Sequence, residues 1–229
     1  GIGCIALRNT NHWMRPGYYA WDAAERGYIF ICWTNTIPIM PPWGAKTPTI
    51  GNNPIVFGVP RSEGPVVLDM ALSQFSYGKM EEYALENKPL PYPGGFNQNG
   101  ELTRDAREIS ASKRPLPIGY WKGSGLALML DMIAAILSGG QSTCDLGKQS
   151  VETGVSQIYV AIHPTKFSSK DTVENMANEI IDFYLSAEHS DQDRIRYPGN
   201  HIFELKQKDL DNPLSINDEI WEKVLELRS

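Results

Sequence analysis

Apolar positions are spread unevenly along the chain, and the densest run sets the frame. From Leu126 to Leu137 every position except Asp131 is apolar. A helix there has no solvated face and is expected to be central and buried on nearly all sides. The run falls short of the ~20 residues that a membrane span needs. Residues 3–8 and Tyr28–Thr34 read as buried strands, with Tyr18–Arg26 as a helix between them ending at Gly27. Strand, helix, strand predicts parallel neighbours in one sheet. Ile55–Val59 and Val66–Asp69 read as two more strands, Leu72–Glu86 as a helix with Ser73 near its start, and Ser156–Ile162 as another strand. Thr172–Glu188 and Ser215–Leu227 have amphipathic helical spacing. Residues 35–54 contain five prolines and predict a long ordered loop of the kind that lines a site. Lys88–Gly100, rich in Pro, Gly and Asn, reads as an exposed excursion.

Composition narrows the partners. The 229 residues carry a net charge of -6 with 41% hydrophobic and 21% charged positions, an ordinary globular balance with no basic footprint for nucleic acid or anionic membranes. Any phosphate site is therefore local. The three cysteines, at 4, 32 and 144, form neither a CxxC pair nor a disulfide ladder. Cys4 and Cys32 lie in strand-like runs and are expected to be buried thiols, which fits a reducing cytoplasm. No two of the four histidines fall at metal-ligand spacing. The chain enters a strand directly at Gly1, so it reads as one that has lost an N-terminal region.

Four places carry candidate chemistry. Lys122, Gly123, Ser124 and Gly125 stand at the expected start of the apolar helix, where free N–H groups, the helix dipole and a lysine attract phosphate; the alternative is a Ser-capped helix with a surface lysine. His12 follows the first strand, placed for substrate contact and proton transfer or serving as a structural loop histidine. Asp69 closes the strand VVLD, where an acid can accept from ribose hydroxyls or cap the following helix. RYPGNHIF at 196–203 reads as a Pro-Gly loop. His163 and His189 read as surface residues. Gly1, Gly3 and Ala6 match G-x-G-x-x-A, but no strand precedes them and no helix follows, so a Rossmann fingerprint is rejected.

In order, RNTNHWMRPGYYAWDAAERGYIFICWTNT, PPWGAKTPTIGNNPIVFGVP, LDMALSQFSYGK, GYWKGSGLALMLDM and RYPG resemble the malate/L-lactate dehydrogenase family that is not of Rossmann type. The resemblance spans nearly the whole chain. It implies an α/β fold with a mixed sheet and flanking helices, and a homodimeric NAD(P)-dependent reductase of small-molecule 2-keto acids, here a sugar-derived diketo acid reduced with NADH, with NADPH as the other option. It assigns cofactor contacts to Asp69, Met70 and Ala71, to Trp121 and Lys122, to Gly199, Asn200 and His201, and in some members to Thr36. It places His12, the catalytic candidate, in the substrate site, with a proton-transfer role in some relatives. Family members also carry an N-terminal Ser-His-Gly segment that this sequence does not contain, so the rival expectation is a non-catalytic nucleotide-binding and dimerisation fragment. Residues 1–170 are expected to form the cofactor-binding domain, and 171–229 helices that pack on an N-terminal helical region.

Overall fold

The computed structural model describes residues 1–188, 194–208, 216 and 218–227. The strands are β1 (Ile2–Thr10), β2 (Ile29–Thr34), β3 (Ile55–Val59), β4 (Val66–Met70), β5 (Gly95–Phe96), β6 (Leu102–Thr103) and β7 (Val155–Ile162). The helices are α1 (Gly17–Glu25), α2 (Tyr77–Leu85), α3 (Ala106–Ser112), α4 (Trp121–Ser138), α5 (Thr143–Leu146), α6 (Lys170–Leu185), α7 (Asn200–Lys208) and α8 (Asp218–Glu226).

The main sheet has the order β1-β7-β2-β3-β4, and every pair in it is antiparallel. The α/β class with flanking helices holds, but the expected parallel neighbours do not. The apolar strand β7 lies between β1 and β2 and pairs with both. β1 and β2 do point the same way, as a helical return requires, and β4 points with them.

Strand alternation gives the sheet two faces. Trp33, Ile55 and Ile158 join Met40, Ile50, Leu72, Ala127, Leu130 and Ala134 in a core under α4. Cys32, Val56 and Val67 face the other way and pack with Trp13, Ala20 and Trp21 under α1, joined by Phe203 from α7. A third, satellite core of Met80, Leu90, Ala106 and Ile109 holds α2 and α3 together.

Helix α4 departs most from the sequence reading. Its inner face, Gly123, Ala127, Leu130 and Ala134, is buried, whereas Leu128, Met129, Met132, Ile136 and Leu137 are exposed, Ile136 by 72%. The helix lies on one face of the sheet, and no described element covers its outer side. Its 18 residues are long and apolar enough to cross a membrane by length and composition, but the polar break at Asp131 serves the fold. Asp131 accepts from Asn35 Nδ2 and from the Thr143 backbone N–H, both at 2.8 Å. Asn35, fully buried, also donates to the Gln141 carbonyl at 2.7 Å and accepts from Ser156 N–H at 2.8 Å. The acid thus locks α4, β2, α5 and β7 together.

Other boundaries also move. Leu72 to Ser76 stay outside the helix because Leu72 N–H donates to the Asn52 carbonyl and Ile118 N–H to the Leu72 carbonyl, both at 2.8 Å; Ser76, not Ser73, then caps α2. The stretch at 88–100 is not wholly an exposed excursion, since Leu90 is fully buried and Gly95–Phe96 pairs with Leu102–Thr103. Cys4 is exposed, because β1 is an edge strand, while Cys32 is buried. The reading of 196–203 as loop missed α7, which begins at Asn200. The helix expected over 215–227 is observed as Asp218–Glu226. His189 lies outside the described residues.

Candidate cofactor and active site

Because β1, β2 and β4 share a direction, their carboxyl ends meet at one edge of the sheet. His12 follows β1, Thr36 follows β2, and Asp69, Met70 and Ala71 close β4. Ligands gather outside such strand ends. Within β4 alternation divides the work: Met70 packs against the α4-side core, and Asp69 points to the α1 side beside Val56 and Cys32.

Asp69 forms one wall of a cavity of about 1060 Å³ with Arg15, Tyr18, Trp21, Tyr197 and Gly199. That volume stands at the upper end of the ~300–1,000 Å³ usual for small-molecule sites. One carboxylate oxygen of Asp69 accepts the Gly17 N–H at 2.9 Å, which fastens the start of α1 to β4; among the described residues the other oxygen has no hydrogen-bond partner. A Cβ on Gly17 would stand 2.8 Å from the accepting oxygen, so a larger residue there would displace the carboxylate. Burial pushes the Asp69 pKa up, against the Gly17 hydrogen bond and the charge of Arg15, which lower it. Burial likewise pushes the Cys32 thiol up to about 12, with the Asp69 charge adding to the effect; this thiol is inert.

Gly199 reaches the cavity through a turn whose backbone lies on β4. Val67 N–H donates to the Pro198 carbonyl at 3.2 Å. Gly199 has φ +89° and its missing Cβ would meet Val67 N at 3.0 Å, a conformation and an approach open to glycine. Beyond the turn, Phe203 stacks on Trp21 with centroids 6.4 Å apart, and Lys206 pairs with Glu25 at 2.6 Å, tying α7 to α1.

The remaining anticipated residues lie outside the cavity lining. Asn200 and His201 open α7 directly after Gly199. Trp121 and Lys122 open α4, reached from β4 through the Leu72–Ile118 hydrogen bond. The helix starts at Trp121, and the N–H groups of Lys122, Gly123 and Ser124 already donate to the carbonyls of Gly119, Ile118 and Tyr120. The expected free donors are therefore taken. Ser124 Oγ instead accepts the Trp43 N–H at 2.7 Å, fastening the proline-rich loop to α4. Thr36 is 6% exposed, and its hydroxyl bonds internally to the Ile37 carbonyl at 3.1 Å. His12 is exposed, and its Nδ1 accepts the Met14 N–H at 3.0 Å, which in the neutral ring leaves the proton on Nε2. Sequence reasoning missed Arg15, Gly17, Tyr18 and Tyr197. The only signal for the first two was the Arg15-Pro16-Gly17 run, a helix start whose loop faces the strand end.

A strand-end acid, a glycine turn that allows close backbone approach, aromatic walls and an arginine thus line one cavity. The chain belongs to the malate/L-lactate dehydrogenase family: the family profile matches residues 1–225. It is thus an oxidoreductase of a family that works with a nicotinamide cofactor. Among its relatives, the 2,3-diketo-L-gulonate reductase of Salmonella heidelberg is 47% identical over 226 residues, 98% of this chain and 68% of the relative. The sulfolactate dehydrogenase structure from Methanocaldococcus jannaschii superposes with TM-score 0.81 at 28% identity, over 99% of this chain and 66% of that one. The Pyrococcus horikoshii malate dehydrogenase structure gives 0.81 at 30% identity, over 99% and 64%.

Proposed function

We propose that the chain binds NADH across the carboxyl end of β4 and reduces the 2-keto group of 2,3-diketo-L-gulonate, or a similar 2-keto acid, to give 3-keto-L-gulonate in the first case. The observation that carries this reading is Asp69, which lines the cavity together with Gly199 and, among the described residues, has one carboxylate oxygen without a hydrogen-bond partner. An acid at a strand end accepts from a ribose hydroxyl and disfavours a 2′-phosphate, which supports NADH over NADPH. Gly199 lets the backbone approach the cofactor, Asn200 and His201 continue that turn, and Met70, Ala71, Trp121 and Lys122 meet it from the α4 side. Thr36 acts indirectly, by holding the loop that backs β4.

Bound there, the nicotinamide supplies a hydride. The chain's own residues orient the cofactor and handle charge. The Nε2–H of His12 donates a hydrogen bond to the carbonyl oxygen of the substrate and stabilises the alkoxide that develops there, and water supplies the proton that completes the 2-hydroxy acid. Lys122 adds a positive charge for a phosphate or carboxylate.

The reading extends to assembly. The exposed apolar side of α4, and Ile2, Ile5 and Leu7 on the edge strand β1, support a homodimer. The unpaired Cys4, Cys32 and Cys144 fit a cytoplasmic location. The domain reading is proposed in the same sense: residues 1–170 hold the cofactor, and the later helices present apolar faces, including Met176, Ile180 and Phe183, to a further layer.

The test is NADH titration of the purified chain by fluorescence, followed by NADH consumption with 2,3-diketo-L-gulonate and other 2-keto acids. Saturable binding and turnover are expected. No binding of either dinucleotide would overturn the cofactor site, and binding without turnover on any 2-keto acid would overturn the reaction.

A further inference from the structure

The β3–β4 turn carries the most fully engaged arginine of the described structure, and it points at the cavity-lining turn. The Arg61 side chain is only 6% exposed. Its Nε donates to Asn178 Oδ1 on α6 at 2.6 Å, one terminal nitrogen to Tyr197 Oη at 3.3 Å, and the other to Glu63 at 2.6 Å. The guanidinium carbon also stands 5.7 Å from the centroid of the Tyr197 ring. The next residue closes the same joint: Ser62 gives its backbone N–H and its hydroxyl to Glu174 of α6.

Fully engaging a nearly buried guanidinium constrains its partners more than a surface ion pair does, because the planar fork fixes several acceptors at once. Asn178 and Glu63 are ordinary anchors. Tyr197 is different, since it lines the cavity and begins the Tyr197-Pro198-Gly199 turn laid on Val67. That turn has few other holds on the sheet. Among the described residues it has the single Val67–Pro198 backbone hydrogen bond at 3.2 Å, and after it α7 docks through Phe203 and Lys206.

We propose that Arg61 is a positioning residue for the cofactor: it acts through Tyr197 to hold the Tyr197–Gly199 turn against β4, at the distance from Asp69 that the dinucleotide needs. The inference rests on the cofactor reading of this cavity. Arg61 itself touches no reacting atom.

The experiment compares Arg61→Met, Arg61→Lys and Tyr197→Phe with the wild-type chain. It reads the NADH dissociation constant, KM for NADH against kcat, and amide hydrogen exchange across 196–200 relative to β7. Arg61→Met is expected to raise the NADH Kd and KM about tenfold, with kcat at saturating NADH within about twofold. Exchange in the turn should quicken about tenfold while β7 keeps its protection. Arg61→Lys should resemble Arg61→Met, because one ammonium cannot span the three acceptors. Tyr197→Phe should show a smaller effect that adds nothing to Arg61→Met. A folded Arg61→Met chain with wild-type exchange at 196–200 overturns the inference. So does a loss confined to kcat, or full rescue by lysine. Should the wild-type chain fail to bind NADH, the cofactor reading falls and the positioning role with it, even if the exchange result shows that Arg61 orders the turn.

Discussion

The two faces of the sheet are built from alternate residues of the same strands, and their cross-strand rows end differently. On the α4 side the row runs Ala6, Ile158, Trp33, Ile55, Met70, apolar from end to end and closed by the helix. On the α1 side it runs Ile5, Tyr159, Cys32, Val56, Asp69, and finishes in an acid beside an open cavity. Adjacent positions in β4 thus belong to different functions. One face holds the architecture, and the other keeps a partly desolvated charge available, at a cost in stability that the apolar face offsets.

The largest expected effect falls on the closed face. Ile158 is completely buried in its row, between Ala6 and Trp33. Ile158→Ala should lose about 2–5 kcal/mol of unfolding free energy in a urea titration, the range for truncating a buried aliphatic side chain. A loss well under 1 kcal/mol would show that the α4 layer is loosely packed and would break the contrast between the faces. Next comes the outer side of α4. If it is a dimer surface, Ile136→Lys should weaken self-association by about 2 kcal/mol, roughly thirtyfold, the size of an interface hot spot. Sedimentation would read the shift, with the thermal midpoint of the monomer unchanged. A wild-type chain that is monomeric at all concentrations would remove the homodimer.

How far these features were legible in the sequence follows from how local each is. β2, β3, β4, β7 and α1 declare themselves through short apolar runs and terminators, and they lie within a residue or two of expectation. Strand order does not, because the place of Val155–Ile162 between β1 and β2 depends on pairing across more than a hundred residues. Periodicity could not reveal the exposed side of α4 either: a run apolar at all but one position describes a helix buried on all sides and one awaiting a partner equally well. At the site, Asp69 was visible as an acid at a strand end. Its hydrogen bond to Gly17 and the approach of Gly199 join segments far apart in sequence. Arg61 gave no sign at all, since an arginine in a polar turn usually faces solvent.

Asp69 tests the open face. Asp69→Asn keeps the shape but removes the charge, and should weaken NADH binding by about 1.5 kcal/mol, or roughly tenfold. The pH dependence has a definite sign. Burial raises the folded-state pKa above the ordinary 3.8, so the contribution of this group to stability is fully present below the unfolded pKa and is lost as pH rises through the folded one. Binding runs the other way, because the ribose hydroxyl needs the ionised acceptor. NADH affinity should therefore fall on acidification at a pH above the ordinary aspartate value, and Asp69→Asn should flatten both profiles. An unaltered pH profile of binding in the asparagine variant would detach Asp69 from the cofactor.

Lys122 carries the smallest effect, because the structure removes half of the argument for it. The N–H groups of the first turn of α4 are already satisfied by the carbonyls of residues 118–120, so the helix start offers little beyond its dipole. The Lys122 charge remains, on an exposed side chain at the α4 edge of the site. An exposed charge contact contributes up to ~1 kcal/mol, so Lys122→Ala should raise the NADH Kd about fivefold or less. Screening supplies the sharper reading. The difference between wild type and variant should shrink as salt rises from low ionic strength to about 1 M, where the Debye length falls to roughly 3 Å. A larger loss that persists in high salt would mean that Lys122 makes a desolvated contact with the cofactor and that the α4 side closes over it. No difference at low salt would leave recognition of the dinucleotide to the α1 side alone.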